Sequence, residues 1–190
     1  MQRQLKSLNG SKRMRLIKTF LTGAIELFIV ITLLSLLIPS NVKVSRTTLI
    51  NNTTKGKVFE QVDNLSNWKN WHPVFKSGER KIIFYPPSIT GEPTTCKILY
   101  GSKTADMRIT YADSNLIKFT LKPENENDIQ NEIIISTIPQ QANVQVEWRA
   151  FNKLKWYPWE KFYGIFIDKL TGPGYEESLK GLKDYLETGH

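Results

Sequence analysis

A chain of 190 residues with a formal net charge of +8 has room for one domain of ordinary size and an appendage. Its single cysteine, Cys96, excludes an internal disulfide and a cysteine-built zinc site, and two histidines, His72 and His190, do not make a His-rich metal centre. Residues 1–40 carry +5 of the charge and everything after them only +3, so the basic character belongs mainly to the tail, and nucleic acid is not an expected partner.

Residues 1–15 are polar and basic and form a tail without apolar period. Leu16 to Ile38 then runs apolar, broken only by Lys18 and Glu26. Twenty-three helical residues at about 1.5 Å each reach roughly 34 Å, enough for a hydrocarbon core of about 30 Å. Glu26 costs on the order of 3 kcal/mol at mid-span, which about a dozen Leu, Ile, Phe and Val residues outweigh. The stretch ends Leu37-Ile38-Pro39-Ser40, without the alternate small residues of a cleavage site, so an uncleaved anchor is favoured over a signal peptide or a buried helix. Six Lys/Arg precede or open the span. They predict a cytoplasmic N-terminus, a single pass through the cell membrane, and an extracytoplasmic domain. Residues 39–41 are a linker of about 10 Å at most. The domain, residues 42–188, is therefore expected at the bilayer surface.

Val42 to Ile50 is rich in β-branched residues and predicts a strand. Asn51 to Thr54 offer caps for a short helix with Val58, Phe59 and Val62 inward. A second helical turn, Leu65 to Trp71, carries Trp68 and Trp71 three apart, a spacing that closes one end of a core. Strands follow at Lys81–Phe84 and Lys97–Tyr100, separated by breaks at Pro86-Pro87 and Gly91-Glu92-Pro93. In Asp106 to Ala112, Met107, Ile109 and Tyr111 alternate onto one face; Ile117, Phe119 and Leu121 repeat this, with Lys118 and Thr120 outward. Ile129–Ile138 and Asn143–Phe151 make a hairpin over Pro139 to Ala142, with Val144, Val146 and Trp148 inward. One apolar and one polar face describe an antiparallel sheet covered on a single side. Asp106, Glu132 and Glu147 fall on the polar face.

Phe151 to Tyr163 mixes Trp156, Tyr157, Trp159, Phe162 and Tyr163 with three lysines. Such a mixture suits the headgroup level of a membrane, or else covers one end of the sheet. Gly164 to Leu170 reads as a further helical turn. From Thr171 to Glu187, Tyr175, Leu179, Leu182 and Leu186 share one helical face. Pro173 suits the first turn of that helix and Gly189 its stop.

The order is that of an α+β helix-grip fold: strand, two short helices, antiparallel sheet, long C-terminal helix. Val44-Ser45-Arg46 followed by Thr54 to Val62, the run Trp68-Lys69-Asn70-Trp71-His72-Pro73, and Gly172-Pro173-Gly174-Tyr175-Glu176 with Leu179 to Lys183 resemble the START-like SRPBCC superfamily, in particular its polyketide cyclase/dehydrase branch. The likeness covers about residues 42–187. It implies a curved sheet and a long helix enclosing a cavity for a hydrophobic small molecule or lipid, and it brings no shared catalytic set.

The candidate cavity residues are Met107, Ile109, Tyr111, Ile117, Phe119, Val146, Trp148, Trp156, Trp159 and Leu179. No cofactor and no metal are expected. Two rival readings are a cyclase or hydratase using the same pocket, with Tyr100 and Tyr111 as its polar candidates, and a non-catalytic membrane or protein interaction module. His72 is a general base by residue type, but no Ser, Cys or Asp stands beside it in sequence, and a surface or capping role is the expectation. Cys96 is expected as a small buried apolar group.

Overall fold

The computed structural model describes residues 2–85, 95–139 and 142–188, with side chains from residue 12 onward. The expected breaks at Pro86-Pro87 and Gly91-Glu92-Pro93, the loop centre Gln140-Gln141 and the stop at Gly189 lie outside them. Two compact units are present: Met1–Ser40 with Lys155–Tyr163, and Asn41–Leu154 with Gly164–His190.

Helix α1 (Gln2–Ser35) belongs to the first unit, and its Lys12–Ser35 stretch is long and apolar enough to cross a membrane; its residues from Lys12 to Val30 are all exposed, and Ser35 at its end is buried. The Thr19, Thr22 and Thr32 hydroxyls donate to the carbonyls of Arg15, Lys18 and Phe28 one turn back, which leaves no hydroxyl proton unpaired on the apolar surface. The expected run to Ile38 is three residues too long. Leu37 and Ile38 donate instead to the carbonyls of Leu34 and Ser35, a tighter i to i−3 winding. Pro39 is the cause, since it disfavours the helical conformation in the residue before it.

In the second unit, β1 (Asn41–Ile50) leads to α2 (Lys55–Val62), capped by Thr54, then to a 3-10 helix over Leu65–Asn70 and to α3 (Pro73–Lys76). Six strands follow: β2 (Lys81–Tyr85), β3 (Thr95–Tyr100), β4 (Lys103–Ala112), β5 (Leu116–Pro123), β6 (Ile129–Thr137) and β7 (Val144–Lys153). They form one seven-stranded antiparallel sheet in the order β1-β7-β6-β5-β4-β3-β2. Directly paired residues share a face, so Ile109 opposite Phe119, Ile133 opposite Trp148 and Ile135 opposite Val146 carry the apolar side across the sheet.

Tyr111 departs from the expected alternation. A bulge after Ile109 skips Thr110, and Tyr111 then pairs with Lys118 on the outer face. Its ring is 48% exposed.

Helix α4 (Pro158–Thr188) also differs: it is 31 residues long and carries Pro173 in its interior instead of at its start. Pro158, with Glu160 in the first turn, supplies the true start signal. Proline inside a helix removes one backbone hydrogen bond and costs about 3 kcal/mol in an unsupported helix. Here Arg46 on β1 grips the turns on either side. Its guanidinium donates to the Asp168 carboxylate at 2.8 and 3.0 Å and to Glu176 at 2.6 Å. Gly172 lies beneath it, where a Cβ would collide with the guanidinium. The Asp168 carboxylate is held below the usual range by Arg46.

Tyr175, Leu179, Leu182 and Leu186 of α4 pack on the core formed by the sheet, Val58, Val62, Leu65, Trp68 and Trp71. Gly181 makes that approach close, because a Cβ there would strike the Trp71 carbonyl oxygen. Gly181→Ala is expected to lower stability by about 1–3 kcal/mol despite a helix-propensity gain of about 1 kcal/mol, since a backbone carbonyl cannot rotate aside as a side chain does. A urea titration followed by tryptophan fluorescence measures it. An unchanged or raised midpoint would show that α4 is free to slide.

Candidate functional site: the inner face of the sheet

Met107, Ile109, Ile117, Phe119, Val146 and Trp148 lie on the inner face, and Leu179 faces them from α4; all seven are buried. Trp148 stands at the centre. Its ring centroid lies 5.2 Å from that of Tyr175, 5.6 Å from Phe119, 5.8 Å from Trp68 and 5.8 Å from His72. Its indole Nε1–H donates to Asn131 Oδ1 at 3.0 Å. Asn131 is a buried polar residue that the strand reading passed over. Its inner position follows from the step Ile129, Asn131, Ile133, Ile135, where a polar residue takes an apolar slot.

His72 is buried, and the fold supplies the partner that is absent from its sequence neighbourhood. Its Nδ1 accepts the Val74 backbone N–H at 3.2 Å, capping α3. The proton therefore sits on Nε2, which donates to Ser178 Oγ at 3.3 Å. Ser178 in turn donates to the Gly174 carbonyl at 2.7 Å. A histidine with its free nitrogen already protonated does not deprotonate that serine. Burial, with a smaller contribution from Arg80, presses the His72 pKa down to about 3. The pair is a neutral tie between the α3 turn and α4.

The other interior groups are neutral as well. Burial pushes the Tyr175 hydroxyl up to about 12 and, with Asp106 adding to it, the Cys96 thiol up to about 12. The inner face thus offers aromatic and aliphatic surface with uncharged polar tips.

That surface is not closed everywhere. Ile82 and Phe84 of β2 pair with Ile98 and Cys96 and so share the inner face. Cys96 and Ile98 are buried, yet Phe84 remains 38% exposed, 6.3 Å from the ring of Phe75. Among the described residues, the apolar face is exposed on this edge at Phe84, while Ile82 packs against the core.

The outer face is different in kind. It bears a groove of about 840 Å³ lined by polar residues, among them Thr95, Lys97, Asp106, Thr120, Lys122 and Gln130. Lys97 lies 3.7 Å from Asp106 and Lys122 lies 3.1 Å from Asp128, so its charges are paired. Glu132 and Glu147 also lie on this face, paired with Lys118 and Arg149. Arg149 first, and then Ser45, hold Glu147 down to about 2 against its burial.

Of the remaining candidates, Tyr111 is on the outer face, where its hydroxyl donates to Asp113 at 2.5 Å and its pKa is raised by that carboxylate. Tyr100 is half-buried, with the Arg80 guanidinium 5.3 Å from its ring centroid. Trp156 and Trp159 belong to the first unit and are 70% and 64% exposed.

No protein-family model and no curated protein matches the chain. Solved structures do. A START superfamily protein from Mycobacterium smegmatis superposes with a TM-score of 0.60 at 16% identity, covering 78% of this chain and 99% of its own. The fold is START-like. A protein from Thermus thermophilus agrees, with a TM-score of 0.58 at 15% identity over 77% of this chain and 98% of that one. So does XoxI from Bacillus cereus, with a TM-score of 0.52 at 15% identity over 77% and 99%. At these identities the likeness is one of architecture. The chemistry of the START-like domain has to be argued from its own residues.

Proposed function

We propose that the START-like domain binds a hydrophobic small molecule or lipid between the sheet and α4, and that α1 anchors it to the cell membrane with the N-terminus cytoplasmic. The observation that carries this reading is the open β2 edge, where Phe84 leaves an inner, apolar face exposed beside Phe75. A soluble domain gains by burying such surface, at about 25 cal/mol per Å², and an apolar guest seated on Phe84 and Phe75 supplies that burial. The neutral interior fits an acyl or ring system, because the buried polar groups described on the inner face are uncharged and would not compensate a buried ion. Placement next to the bilayer shortens the path of a membrane-derived guest through water. The cyclase reading is less well supported, since the His72 to Ser178 tie holds its proton in the wrong place for a base.

The test uses the full chain in lipid nanodiscs with a photoactivatable diazirine fatty acid. Peptide mass spectrometry after illumination is expected to find adducts in segments carrying Phe75 and Phe84, and Phe84→Asp is expected to reduce them at least about tenfold, as a carboxylate enters apolar surface. Label confined to α1 would remove the proposal.

A further inference from the structure

The first unit holds an arrangement that ligand binding does not use. Trp156, Tyr157 and Trp159 form a continuous aromatic group, with Tyr157 and Trp159 stacked at 4.5 Å and Trp156 6.1 Å from Tyr157. Lys155 lies over the Tyr157 ring at 5.9 Å. Trp156 is 70% exposed, Trp159 64% and Tyr163 48%. Surface rings of this size, grouped on one segment, are what a soluble protein avoids unless something covers them.

Lys161 says what covers them. Two residues along from Trp159, it is buried at 4% exposure, and its ammonium donates to the Ile38 carbonyl at 2.8 Å and to Ser40 Oγ at 2.6 Å. These acceptors lie three and five residues beyond the end of α1. The start of α4 is thereby fastened to the point where the apolar helix ends, beside Leu36 and Leu37, which are 61% and 80% exposed. If α1 spans a bilayer, its last turn lies at the headgroup level, where tryptophan and tyrosine are favoured and lysine meets lipid phosphate. Positions 161 and 159 fall on different sides of a helix, so the lysine holds one side to α1 and leaves the Trp159 side free.

We propose that the segment Trp156 to Tyr163 is a second membrane contact, lying in the interface of the bilayer that α1 enters, with Trp156 and Trp159 inserted and Lys161 fixing its depth. The proposal rests on reading α1 as an anchor.

The sequence makes a clean test available, because α1 contains no tryptophan and Trp68, Trp71 and Trp148 are buried. The full chain is reconstituted in vesicles of equimolar phosphatidylcholine and phosphatidylglycerol, with and without bromine on the acyl chains. Flotation of the vesicles after carbonate washing reports on α1 alone. Bromolipid is expected to quench the wild-type fluorescence, and in Trp156→Phe/Trp159→Phe the quenched amplitude is expected to fall at least about twofold. Lys161→Met is expected to weaken quenching while the protein still floats. A chain that leaves the vesicles overturns the anchor reading. A chain that floats, with Trp156 and Trp159 quenched by aqueous acrylamide and not by bromolipid, overturns this proposal alone. Shielding from both quenchers, together with a larger oligomer, would place a second copy on the rings and overturns it too.

Discussion

Trp148→Ala is expected to destabilise the domain by about 3–5 kcal/mol, near the upper end for a single substitution. The ring touches Tyr175 on α4, Phe119 on the neighbouring sheet surface, and Trp68, Trp71 and His72 in the segment between α2 and α3. Removing it takes packing from all three layers at once. It also leaves the buried Asn131 carbonyl without its donor, for which about 1–3 kcal/mol is the usual cost. Trp148→Phe separates the two effects, since it keeps a ring and loses the N–H, and a loss of about 1–3 kcal/mol is expected from it. Urea unfolding at neutral pH measures both. A deficit below about 1 kcal/mol for the alanine variant would mean that the surroundings collapse into the space, which a close-packed interior does not allow.

The second large effect is a pH dependence. Unfolded, His72 takes up a proton as the pH falls through its ordinary 6.5; folded, it resists protonation until about pH 3. Between these values the unfolded state binds the extra proton, so stability is intact above pH 6.5 and declines as the pH falls through the window. One proton contributes at most about 1.4 kcal/mol per pH unit, which makes about 3 kcal/mol between pH 6.5 and 4. His72→Asn keeps an acceptor for the Val74 N–H and has nothing to titrate. Its stability profile is expected to lie below that of the wild type at pH 7, through lost stacking on Trp68 at 5.2 Å, and to be flatter on the way to pH 4. Parallel profiles would show that His72 takes up its proton as readily in the folded protein as in the unfolded chain.

Much of the fold is legible because it is written in local periods. Alternation in Ile117 to Leu121 and Val144 to Trp148 places the inner face, and Tyr175, Leu179, Leu182 and Leu186 place the helix against it. Where one residue's placement depends on a distant strand, the pattern misleads. Tyr111 keeps the alternation in sequence, but the bulge after Ile109 turns it outward. Pro173 carries a strong start signal locally, and only Arg46, 122 residues from Asp168, explains a helix that runs through it.

The site follows the same division. Sequence by itself determined an N-terminal apolar helix, an antiparallel sheet with one greasy face, and a terminal helix to cover it, because side-chain periodicity and solvent contrast act over neighbouring residues. Tertiary structure alone decided which edge of that face stays open, and that His72 is a neutral tie, since its partner Ser178 lies 106 residues away. It also decided that Lys161 closes on the Ile38 carbonyl, just past α1, across 123 residues. Burial and hydrogen bonding are properties of groups that meet in space, and residues so far apart in the chain meet only once it has folded.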